Sequence, residues 1–162
     1  EEGRESVFDL LPENTRWVMV GRLDLNTSGL LLFTNNGDLA NKLMHPSSEI
    51  DREYAVRVLG QVEDQHINQL TSGIELDDGF AKFHKVTFAG GDGANRWYHV
   101  VVREGRKREV RRLWEALEFK VSRLIRIRFG DIRLPDNLRA NQSEYLKPKQ
   151  VQSLLNSVNL KA

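Results

Sequence analysis

Apolar residues in this chain arrive mostly in short runs of strand length, and that spacing limits the possible folds more than any other feature. Trp17-Val18-Met19-Val20 and Leu30-Leu31-Leu32-Phe33-Thr34 read as buried strands, since a short continuous apolar run suits a strand covered on both faces. Tyr54 to Leu59 alternates, with Tyr54, Val56 and Val58 on one face and Ala55, Arg57 and Leu59 on the other. Phe80 to Phe88 and Arg96 to Val102 are two further strand-like runs, joined by Gly90-Gly91-Asp92-Gly93 as a hairpin would be. Val121 to Phe129 alternates as well, and its Ile125, Ile127 and Phe129 are the expected core side, opposite Leu124, Arg126 and Arg128.

Helical signals are fewer. The clearest spans Glu104 to Glu118, where Val110, Leu113, Trp114 and Leu117 fall on one stripe. Asp38 can cap a short helix carrying Leu39, Leu43 and Met44 that ends at Pro46. Glu63 to Thr71 places Ile67 and Leu70 inward with Gly73 past its end. A short terminal helix is expected from Lys147 onward, on the spacing of Val151, Leu154, Leu155 and Val158. The fold class expected is α+β: a mixed, mostly antiparallel sheet with flanking helices, formed as one domain over residues 1–162. A chain of 162 residues can bury a core without covalent staples.

Composition removes whole classes of chemistry. There is no Cys, so disulfide frameworks, thiolate catalysis and zinc ribbons are out. No apolar stretch has the length of a membrane span and the first residues lack the pattern of a signal peptide, so a soluble cytoplasmic protein is the default. His45, His66, His84 and His99 show no metal-ligand spacing, and no metal site is expected. Neither a P-loop nor a nucleophile elbow is present. The net charge of +1 conceals an uneven distribution, with eleven basic residues against five acidic ones between Arg103 and Arg133. Most of these are Arg, whose planar fork grips phosphate and stacks on bases, so nucleic acid or another phosphate-rich partner is indicated. A salt-bridged surface helix and strand would give the same composition.

Gly21-Arg22-Leu23-Asp24-Leu25-Asn26-Thr27-Ser28-Gly29 concentrates polar groups between two buried strands. Three readings compete. Asp24, Asn26 and Ser28 could bond the backbone of a tight turn. A calcium loop matches at Asp24, Asn26, Ser28 and Gly29 but fails at Asn35, where a bidentate Glu is needed. The third is a catalytic carboxylate at Asp24, held charged by a nearby cation and acting as nucleophile or base.

The string GRLDLNTSGLLLFTNNGDLANKLMHPS (Gly21 to Ser47) resembles the catalytic-aspartate motif of RNA pseudouridine synthases of the RsuA/RluB/RluE/RluF family. DREYAVRVLG (Asp51 to Gly60), EGRKREVRRLWEAL (Glu104 to Leu117) and VSRLIRIRFGDI (Val121 to Ile132) come next in that family's order and spacing. The likeness covers nearly the whole chain and is greatest to the RluB-type branch, which modifies large-subunit (23S) ribosomal RNA.

The resemblance implies a pseudouridine synthase catalytic domain with a central RNA-binding cleft, working without cofactor or metal; separately, no heptad or large apolar surface stripe in the sequence suggests more than a monomer. Asp24 would be the catalytic aspartate that attacks the target uridine, so that the base leaves, turns and rejoins the ribose through C5. Arg22 would fill the space of the flipped nucleotide. Tyr54 would pack on the target base as a candidate proton acceptor, Arg111 would pair with Asp24, and Leu124 would lie beneath the base. Arg106, Arg108, Arg112, Arg126 and Arg128 would contact the RNA backbone.

Family members usually open this domain with a Lys-Pro-x-Gly strand, most of them after a small S4 domain. This sequence opens at Glu1-Glu2-Gly3-Arg4, which resembles the segment just after that strand, so a catalytic domain lacking both is expected. The alternatives are an RNA-binding or ribosome-assembly module of the same fold without catalysis, or a synthase acting on 16S ribosomal RNA or transfer RNA.

Overall fold

Along the chain the elements are β1 (Val18–Val20), β2 (Ser28–Gly29), β3 (Leu32–Thr34), α1 (Gly37–Met44), β4 (Arg52–Leu59), α2 (Asp64–Ser72), β5 (Ile74–Leu76) and β6 (Gly79–Ala81). After these come β7 (Lys85–Asp92), β8 (Asn95–Val102), α3 (Glu109–Ala116), β9 (Lys120–Phe129), β10 (Ile132–Arg133) and α4 (Pro148–Ser157). They are seen in a computed structural model that describes residues 7–160. The main sheet runs β10-β9-β4-β8-β7 with antiparallel neighbours throughout, and β2 joins β9 as a short parallel strand. β1 with β3, and β5 with β6, form two small antiparallel pairs. The α+β, mostly antiparallel architecture read from the sequence is the one observed, and no helix among the described residues is long and apolar enough to cross a membrane.

Several local expectations are corrected. The cap of α1 is Asn36, whose side chain accepts from the Leu39 amide at 3.1 Å; Asp38 instead lies in the first turn, where a carboxylate complements the helix dipole. The Phe80 to Phe88 run is two strands. Phe80 and Ala81 pair back onto β5, and β7 starts only at Lys85. The hairpin turn is two residues, Gly93-Ala94, because Asp92 already pairs with Asn95. Helix α3 starts at Glu109 rather than Glu104, since Arg108 takes a left-handed φ of 53° that no helix interior allows. The expected terminal helix is present as α4, with Leu154 and Leu155 buried and Val151 exposed.

The core side assigned to β9 is also corrected. Its pairing with β4 slips at two places, leaving Ser122 and Ile127 without opposite residues. Each bulge changes which alternate positions face inward. Leu124 and Arg126 consequently share a face with Val56 and Tyr54, and Phe129 joins that same face opposite Arg52. Arg128 turns to the other face opposite Glu53, and Ile125 and Ile127 are only half-buried.

That inner face carries two hydrophobic clusters. One gathers Val56, Val58, Tyr98, Val100, Val121 and Leu124 of the sheet under Leu70 of α2 and Val110, Leu113 and Trp114 of α3. The other joins Phe129 and Ile132 to Val20, Leu32, Leu39, Leu43, Leu154 and Leu155. Between them on the strands sit Arg52 and Arg126, both buried.

Trp114 is the centre of the first cluster. It is sealed from solvent and packs against Phe83, Tyr98 and Phe119 at ring-centroid distances of 6.0, 5.4 and 5.9 Å. Trp114→Ala is expected to cost about 3–5 kcal/mol in urea unfolding, the range for deleting a buried aromatic. Its indole N–H has no partner among the described residues, so Trp114→Phe discards no hydrogen bond and is expected to cost less than half as much.

Glu109, in the first turn of α3, is only 3% exposed. Burial foremost, and then the neighbouring Glu104 carboxyl, push its pKa up from 4.5 to about 9. Between those two values the folded chain holds a proton that the unfolded chain has lost, so stability declines as pH rises through that window. Glu109→Gln removes the titration. The variant is expected to match the parent near pH 5 and to exceed it by at least about 1–2 kcal/mol at pH 8.5 in denaturant titrations. A stability difference that does not change with pH would refute the assignment.

Candidate active site

The polar segment between β1 and β3 forms a turn that crosses the seam between the two clusters. Its first bond is main-chain: the Thr27 amide donates to the Asp24 carbonyl at 2.9 Å. The turn therefore closes without the Asp24, Asn26 or Ser28 side chains that the tight-turn reading would have used. Asp24 is half-buried, and among the described residues no hydrogen bond or contact ion pair holds its carboxylate. Such a group has its lone pairs available for attack or for proton transfer.

Two arginines hold this turn from different elements. Arg111 of α3 donates from Nη2 to the Asn26 carbonyl at 2.6 Å, with Nη1 near the Val121 carbonyl at 3.5 Å. Arg111 thus reaches the turn through the backbone of Asn26, two residues past Asp24, and not through the expected ion pair with the Asp24 carboxylate. Burial first, then the charge of Arg108, lower its pKa, while Glu115 and Asp24 act in the opposite direction. The second is Arg126 of β9, whose Nε donates to the Leu30 carbonyl at 2.9 Å while its own carbonyl accepts from the Leu30 amide at 2.8 Å.

Glycine is required at position 29. It has a φ of 110°, and a Cβ there would lie 2.2 Å from the Arg126 carbonyl oxygen. The turn therefore rests directly on the β9 backbone. Across β4, Tyr54 stands opposite Arg126 and Val56 opposite Leu124. Tyr54 packs partly against the first cluster, whereas Leu124 is buried in it and forms part of its floor. Arg22 is exposed at the start of the turn.

The arginines expected to contact RNA divide differently from the sequence reading. Arg126 is 3% exposed and is bonded to Leu30, so it cannot contact a surface ligand from where it lies. Arg128 donates to Glu53 Oε1 and to the Gly130 carbonyl, both at 2.7 Å. Arg112 forks onto Asp78 at 2.8 and 3.0 Å, and that hydrogen bond holds the exposed Asp78 carboxyl below its ordinary pKa. Arg106 donates to the Phe80 carbonyl at 2.6 Å and pairs with Glu104 at 3.2 Å. Of the five, only Arg108 has a side chain without a hydrogen-bond or ion-pair partner among the described residues.

Arg52 was missed from the sequence. It is buried, donates to the Ile50 carbonyl at 3.0 Å and lies over the Phe129 ring at 5.1 Å. Burial foremost lowers its pKa, with Tyr54 opposing and Arg126 adding to the shift. The available signal was its phase: position 52 is in register with Tyr54, Val56 and Val58 on the inward face. Glu109 was missed too, and nothing in its sequence surroundings marks it as buried. Among the described residues no three His, Cys, Asp or Glu side chains group as a metal site would require.

The family model described as RNA pseudouridylate synthase matches residues 4–116. The chain is 62% identical over 139 residues to ribosomal large subunit pseudouridine synthase B of Yersinia pestis, covering 85% of this chain and 44% of that protein. It is 55% identical over 163 residues to the Haemophilus influenzae protein of the same name, covering 99% of this chain and 46% of that one. The chain thus spans about half the length of the curated relatives it matches. A solved pseudouridylate synthase superposes with a TM-score of 0.82 at 24% identity, over 92% of this chain and 65% of that one. The archaeal box H/ACA Nop10-Cbf5 complex aligns at a TM-score of 0.58 and 20% identity, over 82% of this chain and 44% of that one. With more than half of its length matched by the family model, this chain belongs to the RNA pseudouridylate synthase family.

Proposed function

We propose that this chain is the catalytic domain of an isomerase that converts a specific uridine of large-subunit (23S) ribosomal RNA to pseudouridine. The observation that carries the reading is the Asp24 carboxylate, unpartnered among the described residues, on a turn fixed at Asn26 and Leu30 by two buried arginines. A nucleophile needs a fixed position and uncommitted oxygens, and this turn supplies both. The names of the curated relatives support the large-subunit substrate. Such a substrate would place the protein in the cytoplasm.

In the reaction proposed, the target uridine is drawn from its stack and attacked by the Asp24 carboxylate. The Asp24 oxygen bonds to ribose C1′ as the bond from C1′ to base N1 breaks, the base turns, and C5 bonds to C1′ as the Asp24–C1′ bond breaks and frees the carboxylate, while N1 takes up a proton. The hydrogen on C5 then leaves as a proton. Tyr54, on the sheet face shared with Leu124 and Arg126, is the proposed support for the base and acceptor of that proton. Arg111 orients Asp24 by holding Asn26, and Arg22 takes the place vacated by the base. No group beyond these side chains enters the scheme.

The test is tritium release from 23S ribosomal RNA labelled at uridine C5, with filter binding in parallel. Asp24→Asn is expected to lower release to below about a thousandth of the parent rate, with RNA affinity within about threefold. Tyr54→Phe keeps the ring and is expected to lose about 10²–10⁴-fold, the range for a general base. Full release by Asp24→Asn would remove Asp24 from the chemistry. Binding without release by the parent would favour an assembly module, and release only from 16S or transfer RNA would reassign the substrate.

A further inference from the structure

Arg126 does something that a strand residue in a buried face does not ordinarily do. Its main chain and its side chain both bind one residue of the Asp24 turn, Leu30, by carbonyl and by Nε at 2.8 and 2.9 Å. Its main chain also pairs with Gly29, where the backbones approach so closely that no Cβ fits. The parallel pairing of β2 with β9 covers only two residues, too few to fix a turn by themselves, because short unpaired segments fray. The guanidinium supplies the missing constraint. It does so at a cost: it is sealed from solvent beside Arg52, a like charge, and its Nη2 has no hydrogen-bond partner among the described residues. An aliphatic side chain would fill the same face without that penalty, but it could not reach the Leu30 carbonyl with a donor.

The opposite side of the same residue faces the substrate support. Arg126 pairs with Tyr54 across β4, so one residue of β9 is bonded to the end of the Asp24 turn and registered against Tyr54. We infer that Arg126 is a positioning residue: it clasps Leu30 and so sets the distance between the Asp24 turn and Tyr54. It acts through these two groups and does not itself touch the RNA. The inference rests on the proposed chemistry for its kinetic consequence, but the clasp is a property of the protein alone and can be measured without a substrate.

The experiment uses Arg126→Met and Arg126→Lys in the whole chain. Amide hydrogen exchange is read first. In Arg126→Met the Leu30 and Thr27 amides are expected to exchange at least tenfold faster, with the amides of Leu113, Trp114 and Leu43 unchanged. Arg126→Lys, which keeps one donor, is expected to restore part of the protection. Kinetics on labelled 23S ribosomal RNA come second. A displaced turn is expected to lower kcat by about a hundredfold with KM and RNA affinity within about threefold, and Lys is expected to recover at least a third of kcat.

Accelerated exchange across the whole of β9 and α3 would reduce Arg126 to an ordinary core residue and overturn the inference. So would unchanged exchange at Leu30, or a KM that rises as kcat falls. If Arg126→Met does not fold, the Lys variant decides by the same exchange pattern. A parent chain that releases no tritium would sink the proposed chemistry yet leave the exchange result standing, so the two failures are distinguishable.

Discussion

The close approach of Gly29 to the Arg126 backbone is the contact on which the arrangement of this molecule depends. One sheet face carries two hydrophobic clusters, and neither extends across the seam marked by Arg52 and Arg126. β9 runs under both clusters, supplying Val121 and Leu124 to one and Phe129 to the other, but the β1–β3 segment is tied to the sheet beside the first cluster only at this seam. The segment from β1 to β3 belongs to the second cluster through Val20, Leu30 and Leu32, yet it rests on β9 and is gripped by Arg111 from a helix of the first. Glycine at 29 makes that approach sterically possible, and the Arg126 and Arg111 guanidiniums make it specific. The polar turn falls at the junction because two apolar clusters cannot both cover it.

Burying two guanidiniums so close together has to be offset. Arg52 and Arg126 lie over the same Phe129 ring at 5.1 and 5.6 Å, where the negative face of the ring compensates part of the lost hydration. Each also donates to a main-chain carbonyl, of Ile50 and of Leu30, and such charge-assisted bonds exceed neutral ones. The ring is available only because the bulge at Ile127 turns Phe129 onto the face of Leu124 and Arg126. Without it, strict alternation would place Phe129 behind the sheet.

That bulge also explains which features were legible in the sequence and which were not. Strand and helix existence followed from apolar spacing, and β4 kept its predicted faces because its own chain is regular. β9 did not, since bulges are a property of the pair of strands and not of one period. The three-residue strands β5 and β6 are too short to leave a pattern, and the late start of α3 depends on a single left-handed residue, Arg108. At the site, the motif strings singled out Asp24, Tyr54 and Arg111 as the candidates, while Arg52 was hidden because an arginine among inward-facing valines reads as a strand end.

The arginine surplus carried a different message from the one its composition suggested. A cluster rich in Arg and poor in Lys points to planar bidentate recognition, but recognition can be internal. Arg106, Arg111 and Arg126 each donate to a main-chain carbonyl of another segment, Arg128 donates to the Glu53 carboxylate across the sheet, and Arg112 forks onto Asp78. Lysine, a compact and strongly hydrated charge, could not brace two segments at once with fixed geometry. The same reasoning applies to Arg111 in the proposed reaction. A contact ion pair would occupy the oxygens that a nucleophile must present, whereas a bond to the Asn26 carbonyl fixes the turn and leaves the carboxylate uncommitted. In this fold the guanidinium groups brace the turn at Asn26 and Leu30, and the Asp24 carboxylate between β1 and β3 takes no hydrogen bond or contact ion pair among the described residues.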